Sequence, residues 1–179
     1  MDKLLWCDYL FFFCPINWFA VPAMLKGWID KVMASGFAYG GGRWYETGIF
    51  KDKKAMLVMT TGAPEFMFKA DHVQGDIRDI CFPITHGVFW FCGFTPLESY
   101  FVHSPSHQSE EVRHSMLEKF AEFLRGLETA PIISYRGVGE IMAAHKADQE
   151  PTPVMKYNTQ CFCGTVHGGC DGEIKHLFS

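Results

Sequence analysis

An apolar run, Leu4–Phe13, ends in Cys14-Pro15-Ile16-Asn17-Trp18-Phe19, and a helical pattern starts a few residues later. Nearly every position of the run is apolar, the pattern of a strand in a parallel sheet covered on both faces. Pro22 stands where a helix tolerates proline, in its first turn. Met24, Trp28, Ile29 and Val32 then recur at helical spacing within Ala23–Ser35, and Gly36 ends the helix. A buried strand, a short loop and a helix constrain the chain to an α/β fold. Ligands of open α/β sheets bind outside the carboxyl ends of the strands, so Pro15–Phe19 is the first place to expect a site. The run also comes early, because almost no chain precedes a strand that reads as the middle of a sheet.

The same alternation continues. Lys54–Thr60 reads as a second strand, and Thr61-Gly62-Ala63-Pro64 turns the chain sharply beyond its end. Asp76–Phe91 reads as a largely apolar helix, kinked or interrupted near Pro83. Leu97–Val102 reads as a third strand. Ser109 precedes Glu110 and Glu111, a helix start with acid in its first turn. Met116, Phe120, Phe123, Leu124 and Leu127 line one face of that helix, which closes near Gly126. Beyond Pro131 the polarity is mixed and no period is sustained. The chain therefore divides into a domain over 1–130 and an irregular appendage over 131–179.

Composition excludes several classes. A net charge of -4 gives no electrostatic reason to expect nucleic acid. Lys3, the apolar stretch and Ala20-Val21-Pro22-Ala23 imitate a secretory signal. Asp8, Pro15 and Asn17 interrupt that stretch too early for a membrane span. Cys7, Cys14, Cys81 and Cys92 sit in apolar segments, and the total of seven cysteines is odd. They read as reduced, buried residues in a cytoplasmic protein. Cys161, Cys163, His167 and Cys170 lie close enough to suggest zinc, although Cys-x-Cys is tighter than usual structural spacing. The other reading is a glycine-rich tail with free thiols. His103, His107, His114 and His145 do not cluster with cysteine.

Several blocks occur in order: Pro15-Ile16-Asn17-Trp18-Phe19, Val21-Pro22-Ala23-Met24-Leu25-Lys26-Gly27-Trp28, Gly36-Phe37-Ala38-Tyr39, Thr60-Thr61-Gly62, Gly75-Asp76 and Phe91-Cys92-Gly93-Phe94. Together they resemble the NAD(P)H:quinone oxidoreductase family, FAD-dependent enzymes of flavodoxin-like fold. The resemblance runs from Cys7 to Pro131. It implies an α/β flavodoxin-like three-layer sandwich with a parallel sheet, its N-terminal strands missing from this chain. It also implies FAD as cofactor, NAD(P)H as substrate, and two-electron reduction of a quinone by hydride transfer. By the resemblance, Pro15, Ile16, Asn17, Trp18, Phe19, Thr60, Thr61, Gly62, Arg113 and Leu117 fall at flavin-contact positions. Tyr39, Phe91 and His107 fall at positions lining the quinone and nicotinamide pocket. A second subunit completes that pocket in the family, which implies a homodimer. On residue type alone, Phe91 and Leu117 read as core and Arg113 as a solvated helix charge.

The chemistry of the blocks suits a flat ring. Trp18 and Phe19 offer planar walls, and backbone N–H groups of Pro15–Phe19 and Thr60–Gly62, proline apart, can meet a ring edge. Four departures accompany the resemblance. The family fold has five strands, and this chain supplies candidates for three, with no glycine-rich phosphate loop before Leu4. Something must then cover the Leu4–Phe13 edge: the appendage through Pro131–Tyr135, another chain, or a lost segment. Phe68 and Gln74 stand where relatives often carry a Tyr and a His, so no proton relay passes through that pair. Ala63 replaces a usual second glycine and Pro64 stiffens the turn. His86 has Trp90 where some relatives have a second metal-binding His, and no metal site is carried over. The missing phosphate loop, Phe68, Gln74 and the appendage motivate an alternative, a catalytically degenerate binding or assembly subunit, while the family blocks favour the enzyme; a truncated gene product is a third reading.

Overall fold

The computed structural model describes residues 1–147 and the backbone of 155–156. Helix α1 (Asp2–Trp6) precedes strand β1 (Tyr9–Pro15), and α2 (Ala23–Val32) leads to β2 (Lys54–Thr61). Next comes α3 (Ile77–Ile84), which continues without a break as a π-helical stretch, Thr85–Trp90. Two short strands follow, β3 (Thr95–Pro96) and β4 (Tyr100–His103), and then α4 (Glu110–Arg125). Beyond residue 130 come β5 (Ser134–Tyr135) and α5 (Val138–Lys146), and β5 pairs antiparallel with β6 (Met155–Lys156).

β2 lies at the centre of a parallel sheet. β1 pairs along one side of it, and β3 and β4 share the other. The expected pleat follows. Ala55, Leu57 and Met59 pack with Ile29 of α2 and with Cys81, Ile84 and Phe89 of the α3 segment. Met56 and Val58 point the opposite way, into a cluster with Phe123 of α4. Helices thus cover both faces, and the fold is a flavodoxin-like α/β sandwich. The all-apolar strand pattern has this cause, since both faces of β2 are dry.

Three local expectations change. The strand expected over Leu4–Phe13 begins only at Tyr9, because Asp2–Trp6 is helical. Leu4 is buried while Leu5 and Trp6 are exposed, a one-sided burial that suits a helical turn. The Lys53 ammonium donates to the carbonyls of Leu5 and Cys7 at 2.8 and 2.7 Å, satisfying the end of the helix. Second, the strand expected over Leu97–Val102 is split. Leu97 donates to Ala55 at 2.8 Å, but the Glu98 N–H turns away to the Pro131 carbonyl at 2.9 Å. Third, the chain does not break at Pro83. The helix widens from α to π geometry two residues later, and the Thr85 hydroxyl donates to the Cys81 carbonyl at 3.2 Å.

Pro131–Tyr135 covers an edge, but not that of β1. Leu97 and Ile132 form an antiparallel bridge, and the Ile133 N–H donates to Pro96. The segment therefore closes the opposite side of the sheet. Tyr135 is buried there, its hydroxyl donating to Thr85 at 2.8 Å. Among the described residues, no strand pairs with the outer edge of β1.

Candidate functional site at the carboxyl edge of the sheet

Parallel register decides which loops meet. Pro15 lies opposite Thr60, and Thr61 lies opposite His103. The carboxyl ends of β1, β2 and β4 therefore coincide, and the loops after them form one crevice wall. The Ile16 N–H extends the ladder to the Thr60 carbonyl at 2.9 Å, and Ser104 N–H reaches the Thr61 carbonyl at 2.8 Å.

The loop after β1 is a strained turn. Asn17 and Ala20 exchange main-chain hydrogen bonds of 2.9 and 3.0 Å, which places Trp18 and Phe19 at its two central positions. Both have positive φ, 51° and 56°. Turns of this hand favour Asn and Gly, because a side chain at positive φ crowds the backbone. Two aromatics are held there instead, and Trp18 is 98% exposed. Backbone strain combined with exposed aromatic surface marks a candidate ligand site.

The loop after β2 is ordered by its neighbours. The Thr61 side chain is buried and donates to the Ala63 carbonyl at 2.7 Å. Ser104, buried and at φ 50°, donates from its hydroxyl to the Gly62 carbonyl at 3.2 Å. His103 Nδ1 lies 3.0 Å from Thr61 Oγ1. His103 belongs to no cysteine cluster in the sequence. The available signal was its position at the end of the third strand.

Among the described residues, the N–H groups of Trp18, Phe19, Gly62 and Ala63 have no hydrogen-bond acceptor. The N–H groups of Ile16 and Asn17, expected to meet a ring edge, are instead engaged by Thr60 and Ala20. Thr61 contributes the shape of its turn rather than a side chain facing the crevice. Thr60 is exposed.

The remaining candidates separate into two places. His107 ends a short turn, Pro105–His107, directly after β4, and is exposed. Arg113 and Leu117 lie one turn apart on the first half of α4. The Arg113 guanidinium donates to the Gln108 carbonyl at 2.9 Å, and Leu117 is 66% exposed rather than core. Tyr39 and Phe91 lie elsewhere. α2 and α3 start at the carboxyl edge and run back, so the segments after them reach the amino ends of the strands. Phe91 lies there between Tyr39 and Tyr45, each with ring centroids 5.3 Å away. One chain does not bring this pair to the Trp18 turn.

Phe68 is buried against His103, their ring centroids 5.7 Å apart. The Gln74 N–H closes a turn onto the Met67 carbonyl at 3.1 Å. His86 stacks on Phe82 and meets Tyr135 edge-on, and burial lowers its pKa. No group of residues that could hold a metal occurs among the described residues. Cys161, Cys163, His167 and Cys170 lie outside them. No described helix is long and apolar enough to cross a membrane.

The crevice fits one part of a flavin. Unpaired N–H donors and exposed aromatic surface suit the edge and faces of an isoalloxazine ring. A phosphate is less well served at α3 and α4, whose starts are already engaged, whereas α2 begins after Pro22 with no capping side chain. The Asp76 carboxylate accepts from Arg78 N–H at the start of α3, and Ser109 caps α4 ahead of Glu110 and Glu111.

Known proteins share the sequence pattern and the fold of this chain. The chain is 40% identical over 120 residues to rat ribosyldihydronicotinamide dehydrogenase [quinone], covering 67% of this chain and 52% of that protein. It is 39% identical over 131 residues to rat NAD(P)H dehydrogenase [quinone] 1, covering 73% and 48%. The chain thus spans about half the length of these curated relatives. A Klebsiella pneumoniae structure described as a quinone reductase superposes with a TM-score of 0.72 at 36% identity, over 75% of this chain and 55% of that one. General stress protein 14 of Treponema denticola, solved in complex with FMN, superposes with a TM-score of 0.59 at 26% identity, over 72% and 69%. A family model for the flavodoxin-like fold matches residues 1–124. By that match and by its parallel, two-sided sheet, the chain belongs to the flavodoxin-like fold family.

Proposed function

We propose that this chain carries the ring-binding part of an FAD-dependent NAD(P)H:quinone oxidoreductase. The observation behind this reading is the carboxyl edge, where Trp18, Phe19, Gly62 and Ala63 present unpaired N–H groups beside an exposed aromatic turn. Relatives named for quinone reduction support it. When bound, a flavin supplies the hydride chemistry that links a nicotinamide to a quinone. The protein's share is to hold the ring's polar edge with backbone donors and to wall its faces with Trp18 and Phe19. Donors fixed before the ligand arrives cost no reorganisation in the reaction.

Arg113 and Leu117 extend the same side along α4. His107 lies beside the crevice as a pocket residue. Tyr39 and Phe91 belong at the pocket of a second subunit, because their own chain keeps them at the far end of the sheet. That arrangement calls for a homodimer. Reduced Cys7, Cys14, Cys81 and Cys92 suit a cytoplasmic location. The described residues form one flavodoxin-like unit through residue 130, with Pro131–Tyr135 added to its edge.

The test is direct. Purified protein is titrated with FAD and FMN while flavin fluorescence and absorbance are followed. It is then assayed for NADH- and NADPH-dependent reduction of a simple quinone. The expected result is a yellow protein that prefers FAD and turns over. A colourless protein that takes up neither flavin overturns the reading and favours the non-enzymatic alternative.

A further inference from the structure

Hydrogen-bond accounting around Thr61 identifies a further residue. The Thr61 hydroxyl has one proton and two lone pairs. It lies 2.7 Å from the Ala63 carbonyl, which can only accept, so the proton points there. Oγ1 is then left to accept from His103 Nδ1, 3.0 Å away. The neutral imidazole must carry its proton on Nδ1, with Nε2 as the acceptor nitrogen. The opposite assignment leaves the Ala63 carbonyl facing an oxygen with no proton to give it. Phe68 and Phe101 flank the His103 ring, with centroids at 5.7 and 6.0 Å, and limit its rotation.

The consequence reaches the crevice. Ser104 N–H serves the Thr61 carbonyl, Ser104 Oγ serves the Gly62 carbonyl, and Thr61 Oγ1 serves the Ala63 carbonyl. Every carbonyl of the turn is therefore occupied, while the Gly62 and Ala63 N–H groups are not. Each carbonyl already accepts one hydrogen bond, so the unengaged groups of the turn are its donors. We propose that His103 is a positioning residue whose Nδ1–H orients the Thr61 hydroxyl and so fixes the Thr61–Ala63 turn with its Gly62 and Ala63 donors unengaged, an edge suited to flat heteroaromatic ligands rimmed with acceptors. Protonation of the ring keeps the Nδ1–H and adds a positive charge. The ligand preference rests on the flavin reading above, whereas the tautomer and the turn stand on the protein alone.

Two measurements test this separately. Long-range ¹H–¹⁵N correlation on the unliganded protein reads the His103 tautomer. The expected signal is a protonated Nδ1 and an unprotonated Nε2 in the neutral ring. An Nε2–H tautomer overturns the proposal with no variant needed. The second measurement compares His103→Asn, whose side-chain amide can place a donor near Nδ1, with His103→Leu. The His103→Leu variant should shift the Gly62 and Ala63 amide resonances and weaken riboflavin binding about tenfold, the worth of one hydrogen bond. The His103→Asn variant should restore both to within about threefold of wild type. Equal damage in the two variants overturns the positioning role. If wild-type protein fails to bind riboflavin, the flavin reading falls, and the tautomer and amide shifts still decide the role of His103.

Discussion

At Trp18 and Phe19 the chain accepts local strain for a large exposed surface. Left-handed backbone costs about 1–2 kcal/mol per non-glycine residue. The exposure of Trp18 means that its ring offsets little of that cost by packing. Trp18→Asn should therefore raise stability by roughly 1 kcal/mol, because Asn tolerates positive φ. The same variant should weaken flavin binding several-fold. Chemical denaturation and a flavin titration on one preparation check both. A loss of stability would show that the Trp18 ring packs in solution.

Gly93 illustrates the opposite constraint. It has a φ of 99°, and a Cβ there would lie 2.6 Å from Gly48 Cα. Backbone meets backbone at this point, where the α3 segment turns into β3, so no side chain can move aside. Gly93→Ala should destabilise by at least about 2 kcal/mol, combining positive-φ strain with overpacking. Thermal unfolding of the variant measures it. The glycines of the Gly40–Gly42 run, by contrast, have open space or ordinary contact distances where a Cβ would be.

At the scale of elements, the join between sheet and Pro131–Tyr135 carries a pH-dependent cost. Glu98 Oε1 is buried with no hydrogen-bond partner among the described residues. Burial pushes its carboxyl up to about 7 against an ordinary 4.5. The Asp76 charge adds to this and the Arg78 charge opposes it. The folded state then binds this proton more tightly than the unfolded state. Stability from Glu98 is full below about pH 4.5, falls as pH rises toward 7, and is flat above. The loss is on the order of 2–3 kcal/mol, allowing for partial exposure. Glu98→Gln should remove the slope over that window and gain stability at neutral pH. Urea unfolding of both proteins at several pH values shows whether the two curves converge in acid.

The elements also show what could be read in advance. The β1–loop–α2 unit, β2 and its turn, and α4 with Phe120 and Phe123 inward follow from period, proline and caps. The start of β1 did not follow, because Leu4 is apolar in either geometry and Lys53, far along the chain, completes the helical end. The split between β3 and β4 was hidden for a similar reason. The Glu98 N–H finds a partner only once Pro131 arrives at the sheet edge.

At the scale of the molecule, the outer edge of β1 is apolar and no described strand covers it. Phe13 within β1 and Trp6 just before it are exposed. Unpaired strand edges of this kind template further pairing. The isolated chain should associate in a concentration-dependent way, and Phe13→Lys should shift it toward monomer in sedimentation velocity. Unchanged association in that variant would place the contact elsewhere, as at Tyr39 and Phe91.

The sequence by itself determined the fold class and pointed to the loop where a candidate site is expected. Binary patterning and loop chemistry act within a few residues, so a buried strand followed by Pro15–Phe19 and a helix is legible without coordinates. By resemblance it also pointed to Pro15–Phe19 and Thr60–Gly62, segments that the parallel register brings together. Only the tertiary structure decided which N–H groups remain available, that Tyr39 and Phe91 sit at the far end of the sheet, and that Pro131–Tyr135 closes the edge opposite β1. The physical reason is common to all three. Hydrogen-bond satisfaction and edge pairing join residues distant in sequence, as His103 to Thr61 and Pro131 to Glu98, and no local period records such partners.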